Sequence, residues 1–94
     1  MSPLYEKQVA DLTEWFKSRI SNLGKVEMSR EDYRAGTDKL PDRFKPVIKE
    51  AINTWETERG YELSYNQLCQ AFFAAGRAVD VISVINDPLA EIAP

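Results

Sequence analysis

The chain contains no histidine. That removes the usual general base, the commonest metal ligand and the one side chain that titrates near neutral pH without help. Cys69 is the single cysteine. No disulfide can form within the chain, and a reducing compartment is the expectation. A reactive thiol would want a basic neighbour, and none is near in sequence, so Cys69 reads as a small buried hydrophobe. Calcium-loop spacing, a phosphate-binding glycine loop, a nucleophile elbow and a Ser/His/Asp set are all missing. The expectation is therefore a non-enzyme with no cofactor and no metal. No segment approaches about 20 apolar residues free of charge. The opening MSPLYEKQ lacks the basic stretch and apolar run of a signal peptide. A cytoplasmic location is expected.

Net charge is also scarce. It is −3 over 94 residues, although 29% of the side chains are charged. A nucleic-acid binder should be basic, with Lys and Arg clustered. The charge is uneven. Residues 60–94 hold Arg77 against Glu62, Asp80, Asp87 and Glu91, while residues 1–59 balance. This mildly acidic stretch suits a neutral or basic partner only weakly.

What is present is helical. The 44% hydrophobic content supports one packed core, and 94 residues leave no room for two. Pro3 suits a first helical position after a Ser2 cap. Tyr5, Val9, Leu12, Phe16, Ile20 and Leu23 then recur at steps of three and four, forming one stripe. Gly24 would end this helix, placed at 3–23. Residues 25–28 read as a connection. Ser29, with Asp32 three positions on, marks a short helix at 30–35. Pro46 opens a third helix at 45–59, with Ile48, Ala51 and Trp55 inward. Ser64 and Gln67 have capping-box spacing and open a fourth, placed at 65–86. Val79, Val81, Ile82, Val84 and Ile85 would suit a strand, but the dense alanine before them favours helix. The expected fold is all-α: a compact small bundle, three main helices plus a short one, within a single domain at 1–87. Residues 88–94 read as a flexible tail.

The fourth helix raises the functional question. Leu68, Phe72, Ala75, Val79 and Ile82 make an ordinary core stripe. On the other side Gln70, Phe73, Arg77, Val81 and Val84 recur at helical steps and are mostly apolar. A helix apolar all round is buried all round, and little chain is available to cover this one. The second seam is therefore the expected partner surface. Trp15 and Arg19, four apart on the first helix, join it as a cation–π pair of the kind favoured in interfaces. Tyr33 and Arg34, on the short helix between loops, form a secondary polar candidate. Gly76 in mid-helix costs about 1 kcal/mol relative to alanine, which close packing against it could offset.

These residues suggest a small protein-binding domain of inhibitor or adaptor type, acting by occupying a surface, as toxin-neutralising or phage-encoded inhibitory proteins do. The alternative is a homo-oligomer such as a homodimer, with a small-molecule or nucleotide site between subunits and Arg77 and Arg19 as anion contacts. A DNA-binding regulator ranks lower. A break at Gly76 would make 78–86 a recognition helix, and it would lack basic residues.

Overall fold

The computed structural model describes residues 3–85. The tail expected at 88–94 lies outside them. The fold is mostly helical, as expected, with one short two-stranded sheet added.

Helix α1 runs over Pro3–Ile20 and buries Leu12, Phe16 and Ile20. It ends short of the expected 23. The Leu23 N–H bonds to the Ile20 carbonyl in a tight turn, and Gly24 at φ 84° redirects the chain. Strand β1 follows at Val26–Ser29, where the sequence suggested only a connection. Helix α2, Arg30–Ala35, has the expected bounds, and the Ser29 hydroxyl accepts its cap bond from the Asp32 N–H. Two single 3₁₀ turns, Thr37–Lys39 and Asp42–Phe44, lead to α3, Lys45–Thr57. α3 turns Ile48, Ala51 and Trp55 inward and stops two residues before the expected 59.

Helix α4 covers Tyr65–Ala78 and begins with a complete capping box. Ser64 accepts from the Gln67 N–H, and the Gln67 side chain accepts from the Ser64 N–H. The expectation of helix to 86 is corrected here. Asp80 takes a left-handed conformation at φ 57°. The Val81 N–H then bonds to the Gly76 carbonyl at 2.8 Å, and the Asp80 N–H to the Arg77 carbonyl at 3.3 Å. This pair of bonds is a Schellman stop, which satisfies the last carbonyls and turns the chain back. Beyond it Ile82–Ile85 forms strand β2, parallel to β1, with Val26 opposite Ile82 and Ser29 opposite Ile85. Of the β-branched run that suited a strand, Ile82, Val84 and Ile85 lie in one, while Val79 and Val81 belong to the turn.

α1 packs mainly along α4, and α3 closes the other side of α1. Phe72 sits at the centre, edge-on to Phe16 at 5.0 Å and to Phe44 at 5.7 Å. Gly76 has its packing partner in β2. A Cβ there would meet Ile82, whose Cγ1 would lie 2.7 Å away. The missing side chain is what lets β2 lie against α4. No helix among the described residues is long and apolar enough to cross a membrane.

Candidate functional site

The short helix α2 is held on the back of α4 by two tyrosines. The Tyr33 ring lies against Phe73, centroids 4.6 Å apart. Tyr65, at the start of α4, fixes the far end of α2. Its hydroxyl donates to the Ala35 carbonyl at 3.3 Å and accepts from the Thr37 N–H at 3.2 Å. Gly36 between them has φ 94°, and a Cβ there would collide with the Tyr65 hydroxyl. Only glycine combines that backbone with that contact.

This docking leaves two adjoining open hollows. One, of about 520 Å³, is lined by Arg30, Tyr33, Arg34, Arg77, Ile82, Ser83 and Val84. The other, of about 420 Å³, continues along α4 past Phe73, Gln70 and Cys69 to Tyr65. They share Tyr33, Arg34 and Arg77. Among the described residues, neither lining contains a carboxylate.

The arginines sort themselves by partner. Arg19 reaches Glu50 at 3.7 Å and Arg59 reaches Asp11 at 3.5 Å. Arg43 donates to the carbonyls of Leu23 and Lys25 at 2.7 and 3.0 Å. Arg77 makes a single long bond, 3.4 Å, to the Tyr33 hydroxyl. Among the described residues, Arg30, Arg34 and Arg77 form no ion pair, and all three line the same hollow.

Strand β2 borders that hollow. With Val26 opposite Ile82 and the Val26 N–H bonded to the Val81 carbonyl, the parallel ladder uses the backbone of residues 81, 83 and 85. The N–H and C=O of Ile82 and Val84 therefore face away from β1, but Ile82 is 2% exposed, so of the two only Val84 is open to solvent. Val84 and Ile85 are 36% and 45% exposed.

The nominated residues divide. Tyr33, Arg34, Gln70, Phe73, Arg77 and Val84 meet on this face. Phe73 is its buried floor and not an outward contact, which corrects the expected seam: α2 covers it. Val81 is corrected likewise. It is 3% exposed because the Schellman turn carries it into the core. Gln70 is exposed and donates to the Tyr5 hydroxyl at 3.2 Å, linking α4 to α1. Trp15 and Arg19 stand apart from the face. The Arg19 guanidinium lies 3.8 Å from the Trp15 ring, and Trp15 is edge-on to Trp55 of α3. Cys69 is half-buried in the second hollow.

Arg30, Ser83 and Tyr65 were not singled out from sequence. Arg30 carried a usable signal: in "REDYR" it lies four residues before Arg34, on the same helical side. Tyr65 and Ser83 carried none, since their roles come from chain segments distant in sequence.

Comparison with protein-family models, with curated proteins and with solved structures finds no match for the chain.

Proposed function

We propose that this chain is a non-enzymatic protein-binding domain that acts by occupying the surface of a partner protein through the α2–α4–β2 face. The observation that carries the reading is the gathering of three arginines that form no ion pair among the described residues, beside the exposed Val84 and Ile85 of β2. Arginine and exposed apolar residues at a concave face are the usual anchors of protein recognition. Trp15 and Arg19 drop out of the proposed surface, because each is already engaged with α3.

The test is capture by the immobilised chain. A partner retained by the wild type should be lost with Arg34→Glu combined with Val84→Asp, far-UV circular dichroism being unchanged. It should still be held by Trp15→Ala combined with Arg19→Ala. Equal capture by all three chains would remove this face from consideration.

One feature favours a second reading, a homo-oligomer. The exposed end of β2, Val84 and Ile85, could pair with the same segment of another copy about a two-fold axis. Light scattering over a hundredfold range of concentration separates the two. A constant monomer mass leaves the segment for a different protein, and a dimer abolished by Val84→Asp assigns it to the chain itself.

A further inference from the structure

We infer that the arginine hollow is closed by the chain's own segment 86–94, with Asp87 and Glu91 entering it, so that a partner reaches the α2–α4–β2 face only by displacing that segment. The inference rests on the proposed reading for its regulatory part, whereas the docking itself is tested without any partner.

Charge supplies the first argument. Arg30, Arg34 and Arg77 are exposed, line one hollow and form no ion pair among the described residues. Glu27, Glu31 and Asp32 stand near Arg30 in sequence, yet none of them is paired with these arginines. Like charges gathered in one concavity repel one another, and a carboxylate brought among them reverses the sign of that interaction. The chain after Ile85 reads Asn-Asp-Pro-Leu-Ala-Glu-Ile-Ala-Pro, with two carboxylates and no basic residue. Guanidinium forks match a carboxylate in a planar, bidentate way.

Reach supplies the second. β2 runs parallel to β1, with Ile85 opposite Ser29, and Arg30 is the next residue after Ser29. Paired strands lie about 4.8 Å apart, and two residues of chain span at most about 7 Å. Asp87 is thus tethered within reach of Arg30. Glu91 follows Ile85 by six residues, at most about 20 Å of chain, while the strand back to Ile82 measures about 10 Å. A segment doubling back over Val84 brings Glu91 to Arg34 and Arg77.

The apolar surface agrees with this path. Val84 lines the hollow, and Val84 and Ile85 are both exposed. The segment carries Leu89 and Ile92, one on each side of Glu91, and their contact with Val84 and Ile85 removes apolar area from water. Exposed ion pairs are individually weak. The tether compensates, since a short linker holds its end at an effective concentration on the order of millimolar.

The test is nitrogen-15 NMR of the full chain, wild type against Asp87→Asn combined with Glu91→Gln. In the variant the side-chain Nε signals of Arg30, Arg34 and Arg77 should move, and the heteronuclear NOEs of the Leu89 and Glu91 amides should drop. Arg34→Gln combined with Arg77→Gln should lower the same two NOEs. Sodium chloride at about 0.5 M should move the wild-type arginine signals in the direction the variant does. The capped peptide Asn-Asp-Pro-Leu-Ala-Glu-Ile-Ala-Pro, added as a probe, should bind the Asp87→Asn/Glu91→Gln chain about tenfold more tightly than the wild type, where the tethered copy competes. Arginine signals unchanged in that variant overturn the inference, as does equal affinity of the peptide for the two chains. Signals that move with protein concentration also overturn it, by assigning the segment to the hollow of a second copy. The capture experiment judges the broader reading separately: equal capture of a partner by the wild type and by the Asp87→Asn/Glu91→Gln chain overturns the regulatory part.

Discussion

At Gly76 an alanine would gain helix propensity of about 1 kcal/mol and lose the space that Ile82 occupies. Overpacking against a buried side chain typically costs about 1–3 kcal/mol, so the net effect of Gly76→Ala should be a destabilisation on the order of 1 kcal/mol. Urea unfolding measures it. The same substitution in an Ile82→Ala background should have the opposite sign, because the colliding atoms beyond Cβ are gone. Two mutants of similar effect would show that Ile82 does not set the constraint. Asp80 is the complementary case, since an ordinary residue stands where glycine is preferred. Asp80→Gly should raise the melting temperature, even with the exposed Lys25–Asp80 contact removed. A lower melting temperature would mean that this ion pair outweighs the backbone strain.

The element that misled sequence reasoning is α4, and the reason is that same residue. Helices commonly end at glycine, and Asp80 gave no such sign. Alanine-rich Ala71–Ala78 and β-branched Val79–Ile85 then ran together as one apolar stretch. β1 was invisible for another reason. Four residues are too few to establish alternation, and their partner lies beyond three helices. By contrast the starts of α2 and α4 were legible, because capping is local chemistry: Ser29 and Ser64 both accept the bonds their spacing implied. The site was legible to the same extent. Gln70, Phe73 and Arg77 share a side of α4 by helical spacing, and Tyr33 and Arg34 share one of α2. That α2 lies on α4, covering Phe73 and leaving Arg34 beside Arg77, is a tertiary fact. Capping also gives a test at this scale. Ser64→Ala should destabilise the fold by about 1 kcal/mol, read as a lower urea midpoint with an unchanged slope. A loss within error would mean that Gln67, buried and bonded to Tyr61, holds the helix start alone.

For the whole molecule, the absence of histidine shapes the response to acid. No side chain titrates unperturbed between pH 5 and 8, so stability should be level there. The groups that matter lie lower. Asp11 is held below the usual carboxylate range, first by the hydrogen bond from Lys7, and Asp42 likewise by that from Lys45. A depressed carboxyl contributes stability above its unfolded value and loses it as pH falls through the folded one. Unfolding midpoints should therefore hold steady from about pH 8 to 5 and decline below pH 4. Asp11→Asn combined with Asp42→Asn should make that decline shallower. A slope already present between pH 6 and 7 would contradict this account.

The β1–β2 pairing also sets an order in time. Val26 can meet Ile82 only when the intervening chain, with α2, α3 and α4 in it, has closed into a loop. Closing a loop before its interior has collapsed is entropically unfavourable, and non-local pairings of this kind form late. α1 and α4 meet along their length, with Phe16 edge-on to Phe72, and should dock first; β2 would then settle into the notch at Gly76 as one of the last events. Ile82→Val should accordingly quicken unfolding and leave the refolding rate nearly unchanged in stopped-flow measurements. The strand that lends Val84 to the proposed partner face would then also be the part of the chain that lets go first.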